Sequence, residues 1–243
     1  RAGVTYVTLE QARNNRLKPD WKAYAPVKPS FVGVKHFENY PLEEISRYID
    51  WTFFFHDWKV NGKYPAIFDD PLKGKEARVL FDDAQLMLAK IMEHNMVQAN
   101  GVIGFFPAKS TGDSVELATG KDEHTLLHFL RNEEEKEPGI PNLSLADFIA
   151  PAETGINDYI GLFAVTAGKG IEKWVKQYEE QNDDYNAIMV KILADRLAEA
   201  FAELLHHKVR KEYWGYAKDE NLTIDEIIHE GYVGIRPAPG YPA

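Results

Sequence analysis

The sequence predicts an α+β fold, an antiparallel β-sheet followed by helices, and three observations carry that prediction. Three strand-like segments, 101–107, 114–119 and 125–130, succeed one another through short turns at Thr111-Gly112-Asp113 and Thr119-Gly120-Lys121-Asp122. Strands joined this closely can only pair antiparallel, because a parallel connection needs a crossover of a dozen residues or more. A further apolar run, Asp158 to Thr166, reads as another buried strand. The last third of the chain is helical, with one apolar-periodic segment from Asp184 to about Trp214. Some 30 residues of helix span about 45 Å.

At 243 residues the chain suits one large domain or two small ones and is long enough to bury a sizeable core. Its 44% hydrophobic content is that of an ordinary globular protein. The 38 acidic residues outnumber the 28 basic ones, for a formal charge of −10. That balance argues against nucleic acid as a partner and favours cationic ligands or basic surfaces. With no cysteine there is no disulfide framework, no thiolate nucleophile and no Cys-bound zinc, which fits a cytoplasmic location. No apolar run approaches the length of a membrane span, and the N-terminus has no export pattern. The chain starts at Arg1 rather than Met and reads as a piece of something longer.

In chain order, residues 1–41 carry Pro19, Pro26, Pro29 and Pro41 among scattered aromatics, and read as an extended arm wrapped over a neighbouring surface. Leu42 to Ile49 is a short helix candidate with Pro41 at its start. It runs into Asp50-Trp51-Thr52-Phe53-Phe54-Phe55-His56-Asp57-Trp58. A carboxylate entering such an aromatic cluster is costly to bury without a partner, so Asp50 is either a site residue or a helix-end cap. Glu76 to His94 has the period of an amphipathic helix, with Val79, Leu80, Leu86, Met87, Ala89 and Ile91 as its apolar residues. Residues 131–137, Arg-Asn-Glu-Glu-Glu-Lys-Glu, read as a solvated charge run. Glu172 to Glu180 is a helix, and on the long helix after it Asp195, Glu199, Glu203 and His206 share one face. Such a face is either merely wet or part of a site. Thr223-Ile224-Asp225-Glu226 is a capping box that starts a last short helix.

The closing stretch, Gly234-Ile235-Arg236-Pro237-Ala238-Pro239-Gly240-Tyr241-Pro242-Ala243, is stiff by composition. Arg236, Ala238 and Tyr241 each precede a proline and are driven into extended backbone. Pro239-Gly240 has the form of a type II turn. The strip offers one guanidinium, one free amide edge at Ala238 and one ring at Tyr241. It could hold an oxyanion beside a planar group, or simply tie down a terminus. No P-loop, dinucleotide fingerprint, nucleophile elbow or zinc-protease motif occurs. Gly168-Lys169-Gly170 has the wrong surroundings for a Walker loop, and neither His124/His128 nor His206/His207 has a third ligand at metal spacing.

Taken together, Asp50-Trp51-Thr52, Gly101 to Ala108, Ala146-Asp147-Phe148-Ile149-Ala150-Pro151, Asp158-Tyr159-Ile160-Gly161, Asp183 through Gly215 and the closing Gly-Ile-Arg-Pro-Ala-Pro-Gly-Tyr-Pro-Ala carry a resemblance. From about residue 42 onward the chain resembles the C-terminal activation domain of cobalamin-dependent methionine synthase. The resemblance implies a single domain over 42–243, preceded by the 1–41 arm, with a curved, mainly antiparallel sheet flanked by helices. It implies binding of S-adenosylmethionine and support for reductive remethylation of cob(II)alamin to methylcobalamin in a methyltransferase. The cobalamin is held by a neighbouring module, and the electron comes from flavodoxin or a flavodoxin-like reductase. The implied partners are therefore that cobalamin-binding module and that reductase, with no nucleic acid and no membrane, in the cytoplasm. Alone, the chain would not turn over.

Carried over by position, the resemblance implies Arg236 on the ligand carboxylate, the Ala238 backbone on the adenine, Asp50 near the ammonium, and Glu199 as a carboxylate facing the same site. Tyr241 is the tyrosine of the closing signature. Phe53 stands where relatives often have proline. The family's domain continues past the signature, so the chain is expected to be truncated at Ala243. Two other readings are an interaction scaffold for the cobalamin module or flavodoxin, and a free-standing corrinoid reactivation protein.

Overall fold

Strand β2, Gln98–Thr111, is the one on which the sheet is built. In the computed structural model, which describes residues 3–238, β1 (Gly33–Phe37) pairs antiparallel with Gly101–Phe105 of β2 and β3 (Ser114–Ala118) with Ala108–Thr111. Strand β5 (Asp158–Lys169) runs antiparallel along most of β2 with a register shift between Gln98 and Asn100, and β4 (His124–His128) extends the β3 hairpin. The sheet is open and antiparallel.

Helices follow or flank it: α1 (Leu9–Asn14), α2 (Leu42–Ser46), α3 (Trp51–Asp57), α4 (Gly74–Glu93), α5 (Ile171–Glu180), α6 (Asp184–Lys208) and α7 (Ile224–Ile228). The predicted strands and helices are thus all present. The long helix ends earlier than its periodicity suggests, because Val209–Tyr213 opens into a π turn in which the Trp214 N–H reaches back to the Val209 carbonyl at 2.8 Å. Such turns recur at functional sites.

The core lies between the inner face of the sheet and α6. Ile103 and Phe105 of β2 are buried beneath it with Leu193, Leu197 and Phe201 of α6. Gly101 makes that approach possible, since a Cβ there would stand 3.0 Å from the Phe201 ring. Helix α4 packs on α6 and buries Ala77, Leu80, Ala84, Met87, Leu88 and Ile91 in the core. Here the sequence reading needs correction: Val79, Leu86 and Ala89 lie on the outer side. The period was right, but apolar residues on both flanks left its phase ambiguous.

The N-terminal segment is bound to its own sheet. Residues 33–37 form β1, Phe31 packs on Phe105 at 5.0 Å, and the Trp214 indole donates to the Val27 carbonyl at 2.7 Å. Further back, the Val7 N–H donates to the Glu133 carbonyl at 2.9 Å and Arg13 pairs with Asp113 at 2.8 Å.

The charge run at 131–137 also departs from its reading, at its first residue. Arg131 is buried, and its guanidinium donates to Asp113 (2.8 Å), to both oxygens of Asp147 (2.7 and 2.8 Å) and to the Asn142 carbonyl (2.7 Å). Asp147, chiefly, holds Arg131 above its ordinary pKa. Burial alone would raise the Asp113 carboxyl, but hydrogen bonds from Arg13 and Arg131 outweigh it and hold it low. Its neighbour segment is fixed similarly, with Asp158 accepting from the Ala150 N–H at 2.8 Å.

Candidate functional site

The C-terminal strip meets α6 near that helix's end. After α7, begun by the Thr223/Glu226 capping box, the chain turns back toward α6. Tyr232 lies edge-on to the buried His206 at 4.8 Å, and the Arg210 guanidinium sits 4.1 Å from the Tyr232 ring centre. Arg210 is fully buried and held on both sides: it donates to the Glu220 carboxylate at 2.8–3.2 Å and its Nη1 lies 2.9 Å from His206 Nδ1. Gly234 then bends the strip at φ 107°, where a Cβ would also strike the Tyr216 hydroxyl at 2.7 Å. Two residues on, the Arg236 guanidinium donates through Nη2 to Glu203 Oε1.

This pair is mostly buried, with side-chain exposures of 17% and 15%. Its contact is one-armed. Arg236 Nε and Glu203 Oε2 are both buried without a hydrogen-bond partner among the described residues. Burial raises the Glu203 carboxyl above its usual range against the pull of Arg236 and Arg210, while Glu230 and Glu199 push the same way as burial. Burial, with Arg210 and Arg236 adding to it, lowers His206 to about 3, so its ring is neutral.

Of the sequence-predicted residues, Arg236 is at this junction, where Glu203 is its carboxylate partner. Glu199, one turn earlier on the same face of α6, is exposed. Asp50 caps α3, accepting from the Thr52 N–H at 2.8 Å, which is the helix-end role. The segment that carries it touches α6 on either side, Tyr48 meeting His207 at 2.8 Å and Asp57 meeting Arg196 at 3.4 Å. Ala238 is exposed at the end of the described chain, while Tyr241 and the Pro239-Gly240 turn lie outside the described residues.

Sequence reasoning set Glu203 and His206 on the Glu199 face without giving them a role, and missed Arg210, Glu220 and Tyr232 as members of the assembly. A signal existed for three of them, since Glu203, His206 and Arg210 continue the Glu199 face at spacings of three and four. Among the described residues no group of His, Asp or Glu could hold a metal ion. His124 pairs with Glu116 at 2.9 Å and His128 with Ser114 at 2.9 Å, while Gly170 is the left-handed start of α5.

By class, this is an α+β domain with an ion-pair clamp where its longest helix meets its C-terminal strip. Residues 41–243 match the family model described as vitamin B12 dependent methionine synthase, activation domain, and the chain belongs to that family. Among solved structures, it is similar to one titled "Crystal Structure of the MetH Reactivation Domain bound to AdoHcy", with 50% identity and a TM-score of 0.92. That match covers 98% of this chain and 73% of the other.

Proposed function

We propose that this chain binds S-adenosylmethionine at the Arg236 clamp and supports reductive remethylation of cob(II)alamin held by a neighbouring module of a cobalamin-dependent methionine synthase. The observation that carries the reading is a buried guanidinium and a buried carboxylate, each with an unmet hydrogen-bonding atom, in a family whose relative is described as bound to AdoHcy. S-adenosylmethionine carries one carboxylate, one ammonium and one sulfonium. Arg236 answers the first, and the acidic face of α6 with Asp50 answers the other two.

In this reading Arg236 binds the carboxylate, Asp50 and Glu199 stand near the cationic groups, the Ala238 backbone meets the adenine and Tyr241 flanks it. The activation unit spans 42–243, with 1–41 as its arm. The electron comes from flavodoxin or a flavodoxin-like reductase in the cytoplasm. Cobalamin, which a neighbouring module would hold, would supply the acceptor for that electron and for the methyl group of the bound donor, leaving S-adenosylhomocysteine. The chain's own residues bind and orient the donor; none has to move a proton, because transfer of a methyl group from a sulfonium needs alignment above all.

Calorimetric titration with S-adenosylmethionine tests this. Arg236→Ala is expected to weaken binding by about 2 to 5 kcal/mol, the usual result of removing one side of a buried charged contact. Identical isotherms for wild type and variant would remove Arg236 from the site.

A further inference from the structure

Each outermost strand of an open sheet leaves a row of backbone N–H and C=O groups without a partner, and proteins usually guard such edges with short strands, charges, prolines or bulges. Two of the three edge strands here are guarded in that way. β1 and β4 are five residues each and carry polar side chains, Lys35 and His36 on the first, His124 and His128 on the second. β5 is different. It runs for twelve residues, pairs on one side with β2, and has no strand on its other side among the described residues. From Tyr159 to Gly168 it carries neither a charge nor a proline, and its one irregularity of register lies at the far end, beyond Thr166. Its middle, Gly161-Leu162-Phe163-Ala164, is exposed. Leu162 and Ala164 lie opposite Gly104 and Val102 on the outer face, where Val34 is also exposed, whereas Phe163 lies opposite Ile103 on the core side. Apolar side chains are thus uncovered on both faces of one edge.

We propose that the free edge of β5 is a self-association surface, on which a second copy of this chain adds its own β5 antiparallel about a two-fold axis. Strand addition of this kind supplies main-chain hydrogen bonds along the edge, and the alternating side chains give it selectivity. A second copy fits the edge for two reasons. An antiparallel pair of identical strands is self-complementary, so a single two-fold contact uses both free edges and closes the assembly. The chain also has a formal charge of −10, which drives copies apart wherever acidic surface meets acidic surface, whereas along 159–168 no like charges oppose the approach. In the pair, Leu162 and Ala164 of one copy continue the apolar outer face of the other, and Phe163 is covered beside its counterpart. The Arg236 clamp is built from α6 and the C-terminal strip rather than from β5, so association and ligand binding are separate properties.

Sedimentation equilibrium of the chain over a series of concentrations tests this. Wild type is expected to show a reversible monomer–dimer equilibrium, with amides in 159–168 exchanging more slowly as the dimer fills. Leu162→Lys sets two like charges against each other across the two-fold and is expected to weaken association on the order of tenfold or more. Leu126→Lys, the same change at an exposed site on the β4 edge, is expected to leave association unchanged. Both leucines are exposed, so the fold should survive, which circular dichroism checks. Ala164→Lys takes the place of Leu162→Lys should that variant unfold. A monomer at every concentration would overturn the proposal. So would a dimer that Leu162→Lys leaves intact, or one that Leu126→Lys weakens equally, since the contact would then lie elsewhere.

Discussion

Two arginines, the buried Arg131 and the mostly buried Arg236, face carboxylates in the same molecule, and they differ in how completely they are satisfied. Every guanidinium nitrogen of Arg131 has a partner among Asp113, Asp147 and the Asn142 carbonyl. Arg236 meets Glu203 through one nitrogen and leaves Nε without a partner among the described residues, and Glu203 Oε2 is likewise without one. The closed cluster ties the N-terminal arm, the β3–β4 hairpin and the 142–147 segment together. The open one joins only two elements and keeps hydrogen-bonding capacity in reserve. Completeness of satisfaction, more than burial or charge, separates a joint from a receptor here.

The largest effect that could break this contrast is at the closed cluster. Arg131→Met strands Asp147 and leaves Asp113 with Arg13 alone, and urea unfolding should show a loss of about 3–5 kcal/mol, as when one side of a buried ion pair is removed. A loss below about 1 kcal/mol would mean that the cluster is not a structural joint. Acid titration comes next. His206 is held near 3 in the folded chain against an ordinary value of 6.5. Below 6.5 the unfolded chain takes up a proton that the folded chain refuses, so stability is complete above that pH and declines as pH falls toward 3. By pH 5 the loss from this residue should be about 2 kcal/mol, and His206→Asn should flatten that slope. An unchanged slope would contradict the neutral, buried state of His206. The smallest effect belongs to Glu203→Gln. Because the Glu203 carboxyl is raised, its ionised form opposes folding, so neutralising it should leave stability at pH 7 within about 1 kcal/mol of wild type or slightly above. A larger loss would make Glu203 a joint like Asp147.

Much of the fold was legible because its signals are local. The strands of the hairpin announce themselves by turns at Gly112 and Gly120, and α6 by its apolar period from Asp184. The strand at 33–37 was not legible, since Gly33-Val34-Lys35-His36-Phe37 has little alternation and is a strand only because β2 offers it an edge. Arg131 looked solvated because its partners are 16 and 18 residues away on other segments. Within the site, Arg236 stood out through its prolines. The choice between Glu199 and Glu203 could not be made from spacing, which puts both on one face. It is decided by where Tyr232 docks the strip, a tertiary contact with no local signature.

The most direct measurement is a crystal structure of this protein with S-adenosylhomocysteine bound. The prediction is that the ligand's carboxylate lies within hydrogen-bonding distance of the Arg236 guanidinium, with its ammonium toward Asp50 and the acidic face of α6. A complex in which the amino-acid end lies elsewhere would contradict it.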